Sequence, residues 1–367
     1  MMKKLLYILC LFVLLMLAST AFAEIKIKHM YGSDFVDYCY LGDLEKVKEG
    51  LSLGANVNYV IEDKEDKGLT PLIAAILSKN HSQNRIEIIK LLIEAGANVN
   101  SNQFNSGLTP LLIALTRENA LEILEIFLNA GADVNYVVKD DQMQGFTPLI
   151  LGLLHEHLSI SIVNRLIEAG ANVNYIGEYG DFKGLTPLLG ILRWATETNN
   201  PILVKILVDA GANVNYVAAT GKWKGFTPLL QAMNVLKDMI GSPQITEFLI
   251  EAGANVNYVA LEGDKKGYSP LLLAVEGTKA KVLDVVKVLL RCGAEVNYIA
   301  VDGYKKGFSP LLVAAEKARD PEVLEVLLKA GANANYVEPT SGATALSLAK
   351  KNPALRSSYI LSRLGDQ

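Results

Sequence analysis

The chain writes one sentence again and again. GANVNYVAATGKWKGFTPLL, residues 211–230, has near copies in GANVNYIGEYGDFKGLTPLL from Gly170 and GAEVNYIAVDGYKKGFSPLL from Gly293. The glycines that open these stretches fall at 54, 96, 131, 170, 211, 253, 293 and 331, spaced 35 to 42 residues apart. Between them lie Thr/Ser-Pro-Leu starts, with prolines at 71, 110, 148, 187, 228, 270 and 310. A period of this length means that each unit is one small motif. It cannot bury its apolar face alone and must stack on its neighbours. The repeat therefore overrules the two or three globular domains that 367 residues would otherwise suggest.

Each start predicts a helix. Thr70, Thr109, Thr147, Thr186, Thr227, Ser269 and Ser309 stand as N-caps, and proline follows at the first helical position. After a short polar turn a second apolar-periodic run appears, such as EIIKLLIEAG or EVLEVLLKAG. A glycine in the left-handed conformation should end it. The chain then extends as Asn-Val-Asn-Tyr and turns back towards the next start.

This Thr-Pro-Leu…Leu-Leu…Ala-Gly-Ala-Asn-Val-Asn grammar resembles that of the ankyrin repeat over residues 30–365, in about nine units, and with the leader below it resembles exported bacterial ankyrin-repeat proteins. The resemblance implies an all-α repeat solenoid of helix-turn-helix units. The last unit, GATALSLAKKNPALRSSYILSRLG, lacks the proline and ends in polar residues, as a C-terminal cap should. Two departures stand out. The histidine that usually follows Thr-Pro-Leu is replaced by Ile73, Leu112, Ile150, Leu189, Leu230, Leu272 and Leu312, which exchanges a polar latch for apolar burial. The glycine-to-glycine linkers are also long: 14 residues in six copies, against 11 for Gly96–Gly107 and Gly331–Gly342. With Gly180, Gly221, Gly263 and Gly303 at their turns, the long linkers predict extended β-hairpin loops.

Tyr59, Tyr136, Tyr175, Tyr216, Tyr258, Tyr298 and Tyr336 hold one position in seven copies, and such uniformity suggests a ladder of rings stacked from loop to loop. The loop positions that vary are the candidate partner-binding residues: Tyr179, Phe182, Lys222, Trp223, Lys224, Lys265, Lys266, Tyr304, Lys305 and Lys306. Aromatic side chains exposed at variable positions suit binding hot spots, and the lysines make a basic stripe suited to an acidic partner surface. The repeat-3 linker lacks the tyrosine and interrupts the ladder.

Residues 1–23 belong to a different kind of text. MMKK, the 14 apolar residues LLYILCLFVLLMLA, and STAFA ending in Ala21-Phe22-Ala23 read as a signal peptide cleaved before Glu24, leaving 24–367 as one repeat array. The apolar run is short for a membrane span, which takes roughly 20 residues. Without this leader the formal charge is -6, 33 basic residues against 39 acidic, so nucleic acid finds no broad basic footprint. Cys39 and Cys292 sit in the first and seventh repeats, too far apart for a disulfide, and read as small buried side chains.

Catalytic apparatus is missing from the text. The four histidines are 29, 81, 155 and 157, and His155-Glu156-His157 places its rings on different faces of a helix. No phosphate-binding loop or nucleophile elbow occurs. The expectation is a monomeric, non-catalytic protein without metal or cofactor, periplasmic or secreted. It makes no membrane contact after cleavage and binds a protein partner on a concave face of hairpins and first helices. The alternative is a structural, envelope-organising spacer tethered by an uncleaved N-terminus.

Overall fold

The computed structural model describes residues 32–365 apart from 63–65, 79–82, 103, 105–106, 118, 140–142, 155–159, 195–200, 235–241 and 278–280. The signal-peptide reading and all four histidines fall outside the described residues. What is described falls into two compact units that divide between Asn172 and Val173. Both are built the same way, and the fold class is an all-α repeat solenoid, as the grammar implies. The first unit holds the helix pairs Ser33–Leu41 with Leu44–Ser52, Pro71–Leu77 with Gln83–Glu94, Pro110–Ala114 with Ala120–Asn129, and Pro148–Leu154 with Ile160–Glu168. The second holds Pro187–Trp194 with Pro201–Asp209, Pro228–Met233 with Pro243–Glu251, Pro270–Val275 with Val282–Arg291, Pro310–Lys317 with Pro321–Lys329, and Ala345–Lys351 with Ile360–Gly365.

The caps form where the sequence places them. Thr227 Oγ1 accepts the N–H of Leu230 at 3.1 Å, and Thr70, Thr109, Thr147, Thr186, Ser269 and Ser309 do the same three residues on. The residue whose N–H is capped is the one that replaces the usual histidine. Ile73, Leu112, Ile150, Leu189, Leu230, Leu272 and Leu312 are all buried, so the exchange of a polar latch for core volume is real. Thr344 lacks the proline and compensates with a reciprocal capping box to Ser347. At the other end of each pair the glycine closes the second helix. Ala212 N–H reaches Leu207 O and Gly211 N–H reaches Val208 O, both at 2.9 Å, which is the double closure of a Schellman motif.

The Asn-x-Asn that follows does two jobs. Asn213 Oδ1 accepts the N–H of Asn215 at 2.9 Å and turns its own backbone. Asn215 then reaches the next repeat, donating from Nδ2 to Gly253 O and accepting from Asn255 N–H, both at 2.8 Å. Asn257 and Asn297 repeat this rung in the second unit, as do Asn58, Asn100 and Asn135 in the first.

The long linkers are hairpin loops, but compact ones, and no strand forms among the described residues. In the loop before Thr227, Ala218 N–H donates to Phe226 O at 2.9 Å and Gly225 N–H donates to Ala218 O at 2.8 Å, two residues facing one. Gly225, at φ +84°, takes the bulge position and is also the third residue of the tight turn Trp223–Phe226. One bulged pair followed by a turn uses up the polar groups that a longer ladder would need. The same pattern closes the loops around Ala260 and Ala300. The expected extended arms are thus replaced by a loop folded back over the first helix.

Candidate functional site

That fold-back decides which loop side chains face outward. The residue four before each cap begins the tight turn, and its side chain is tucked inward: Met143, Phe182, Trp223 and Lys305 are buried and Lys265 is half-buried. Three candidate binding residues, Phe182, Trp223 and Lys305, are therefore not surface groups. Trp223 is 7% exposed, meets Phe226 edge-on at 5.4 Å between ring centres, and lies under the guanidinium of Arg193 at 5.2 Å and the ammonium of Lys222 at 5.5 Å. Phe182 is 4% exposed. The reading of Trp223 as an exposed hot spot is corrected, because the turn, and not the flanking lysines, sets its direction.

Where this inward position holds lysine, an acid at the end of the same first helix meets it. Lys305, 4% exposed, pairs with Glu316 at 2.5 Å and lies over the Phe308 ring at 4.8 Å. Burial works against the Glu316 charge, yet the hydrogen bond and charge of Lys305 outweigh it and hold the carboxyl below its usual range. One repeat earlier Lys265 pairs with Glu276 at 2.9 Å, and Tyr268 hydroxyl donates to the same carboxylate. Burial, reinforced by that carboxylate, pushes the Tyr268 phenol up.

The remaining lysines point out, and two of them are matched across the loops. Lys224 meets Glu262 at 2.6 Å and Lys266 meets Asp302 at 2.5 Å, and the Lys266 hydrogen bond holds Asp302 below its usual range. Lys222 and Lys306 are exposed beside them. Four of the six lysines in the expected basic stripe are thus neutralised within the protein, which removes the argument for a strongly acidic partner. Of the aromatic candidates, Tyr304 is 88% exposed and Tyr179 is also exposed.

Five of the seven repeated tyrosines donate their hydroxyl to a glycine carbonyl of the preceding loop. Tyr258 hydroxyl donates to Gly225 O at 2.9 Å, and Tyr216, Tyr298 and Tyr336 donate to Gly184, Gly267 and Gly307 in the same way. In the first unit Tyr136 donates to Gly107 O at 2.7 Å, so the short repeat-3 linker still receives a rung from its successor. Neighbouring loops also touch backbone to backbone in the second unit. A Cβ on Gly263 would overlap the carbonyl oxygen of Lys224, and one on Gly225 would overlap that of Glu262. The pairs Gly184 with Gly221 and Gly267 with Gly303 approach in the same reciprocal way.

The last linker is too short to supply such a carbonyl, and Glu338 takes its place. The carboxylate lies against Gly307 and accepts the Ser341 hydroxyl at 2.6 Å and the N–H groups of Thr340 and Ser341 at 3.0 and 2.6 Å. These bonds, the Ser341 hydroxyl foremost, pull its pKa from the ordinary 4.5 down to about 2. A depressed carboxyl contributes stability above its unfolded value and loses it as pH falls through the folded one. The thermal midpoint of the native chain is therefore expected to exceed that of Glu338→Gln by its full margin at pH 7. The gap should close as pH falls from 4.5 towards 2, and a gap that widens there would contradict the assignment.

Sequence reading passed over the residue after each tyrosine. It is Val60, Val137, Ile176, Val217, Val259, Ile299 or Val337, a branched aliphatic in seven copies, and in none of them is it buried. Its signal was its uniformity, which had been credited to the tyrosine alone. Two residues further on, Leu261 and Val301 are each 73% exposed. Cys39 is buried, and burial pushes its thiol up; Cys292 is half-buried. Among the described residues no cluster of three or more His, Cys, Asp or Glu is placed to hold a metal, and no helix is long and apolar enough to cross a membrane.

Comparison with known families matches the chain to ankyrin repeats (three copies) over residues 36–138, 84–177, 192–300 and 241–338. Among solved structures it is similar to an ankyrin repeat domain from Acinetobacter baumannii AYE, at 30% identity over 60% of this chain and 98% of that one, with a TM-score of 0.48. No curated protein gives a significant match.

Proposed function

Because the chain belongs to the ankyrin-repeat family, whose members generally mediate protein–protein interaction and are typically non-catalytic scaffolds, we propose that it is a protein-binding scaffold working outside the cytoplasm. Its partner rests on the loops and first helices of the second unit. The observation that carries this reading is the cluster of large apolar side chains left in water on two adjacent loops, Leu261, Val301 and Tyr304, each more than 70% exposed. A rigid row of loops tied by Asn and Tyr rungs presents them without an ordering cost, which favours affinity. The leader of residues 1–23 supports export to the periplasm or beyond.

A photo-crosslinking residue placed at Tyr304 is expected to trap a protein partner in the native organism. The same residue placed at Lys205, exposed on a second helix, should not. Adducts from position 205 alone would move the site to the opposite face. Mass spectrometry of the mature chain should find Glu24 at its start, and retention of residues 1–23 in washed membranes would overturn the localisation.

A further inference from the structure

The apolar side chains on the loops are arranged in rows. Ile176, Val217, Val259, Ile299 and Val337 hold one position in five successive loops of the second unit, and none is buried. In two neighbouring loops the row doubles. Val259 with Leu261 and Ile299 with Val301 stand two residues apart, flanking the buried Ala260 and Ala300, so each pair points to the same side of its segment. The corresponding second position is Glu178 in one earlier loop and Ala219 in the next. The result is a four-residue apolar patch, widest at Leu261 and Val301, with nothing among the described residues covering those two.

Charges on the rim of the patch are largely matched, the exposed Lys222 on the preceding loop being the surplus. Lys224 is matched to Glu262 and Lys266 to Asp302, and the exposed Asp264 is balanced in number by the exposed Lys306. Such a rim selects neither an acidic nor a basic partner, and a charged chain laid across it would lose water without gaining a counter-charge. The rows also have a period. Packed helices in successive repeats lie about 8–10 Å apart, and a polyproline-II segment presents one side chain to the same face every third residue, roughly 9 Å along its axis. An extended chain of that kind places one apolar residue on each loop in turn, which a fluid lipid surface has no means of matching.

We propose that the patch of Val259, Leu261, Ile299 and Val301 is the seat for an uncharged, extended segment of a partner protein with apolar side chains at every third position. The proposal rests on the protein-binding reading above and narrows it from an acidic surface to a neutral apolar one.

A random peptide display library panned against residues 24–367 tests it. Recovered peptides are expected to be near neutral and to carry apolar residues three apart. A synthetic peptide of the recovered sequence, followed by fluorescence anisotropy, should bind Leu261→Ser/Val301→Ser at least about tenfold more weakly than the native chain. Both positions are exposed, so the thermal midpoint should stay unchanged, and that separates lost binding from lost folding. Lys222→Glu should leave the affinity as it was. Recovery of acidic peptides that ignore the double substitution and depend on Lys222 would overturn this proposal and leave the protein-binding reading standing. Recovery of no peptide, with crosslinks absent from position 304, would overturn both. Flotation with phosphatidylcholine vesicles, or concentration-dependent dimerisation in sedimentation, that is abolished by the double substitution would assign the patch to lipid or to a second copy of the chain instead.

Discussion

Trp223→Ala is expected to lower the stability of the second unit by about 3–5 kcal/mol, the usual cost of emptying a buried tryptophan site. The indole fills the space between the end of one first helix, through Arg193, and the start of the next, through Phe226. Removing it leaves a cavity and strips the cover from a buried guanidinium, so the loss should appear as weaker coupling between the fifth and sixth repeats. Urea unfolding followed by circular dichroism would register it as a lower midpoint, and hydrogen exchange would place the new opening near residues 187–233. An unchanged midpoint would contradict the burial of the ring and return Trp223 to the list of binding residues.

Gly263→Ala should cost about 3 kcal/mol, for two separable reasons. At φ +78° any side chain is strained, which accounts for about 1–2 kcal/mol. The added carbon also meets the carbonyl oxygen of Lys224 on the preceding loop, and forcing an atom into a filled space costs about 1–3 kcal/mol more. Gly293→Ala is the control: its φ is +86°, but no atom lies within 4 Å of the added carbon. It should therefore show the strain alone, about 1–2 kcal/mol. The difference between the two melts measures how tightly neighbouring loops are pressed together, and equal melts would mean that the loops yield freely.

How much of this was legible in the letters depends on what each letter had to satisfy. Caps, the proline start and the closing glycine are local devices, each fixed by a few neighbouring residues, so they read directly. The apolar residues in place of histidine read correctly as well, because a branched side chain three residues past the cap in seven copies has nowhere to go but the core. The loops were harder. Their direction is set by one bulged pair and one tight turn, and a mid-loop glycine is equally consistent with a long hairpin. Trp223 was misplaced for that reason, although aligning Met143, Phe182 and Trp223 in one column would have shown an inward position. The same column would have exposed Lys265 and Lys305 as inward-facing lysines in need of partners. Glu276 and Glu316, seven residues past their caps, were the matching letters. The Leu261 and Val301 patch was overlooked because a single exposed aliphatic is ordinary, and only the pairing of adjacent loops makes a surface of it.

The asparagine rungs make the length of the array editable. Every rung joins the same side-chain atoms to the same backbone atoms, so none identifies its neighbour. If residues 254–293 were excised, Asn215 would find the carbonyl of Gly253 and the N–H of Glu295 where it now finds Gly253 and Asn255. Lys224 would face Asp302 in place of Glu262, one carboxylate for another. Lys265 and Glu276 would leave together, stranding no buried charge. A genetic slip of one whole period thus yields a shorter chain with these joins intact, whereas a slip that is not a whole copy breaks the rungs at the junction. Gain and loss of complete copies is the mutation this architecture absorbs most readily, and through it the spacing of the exposed loops can change faster than any single contact.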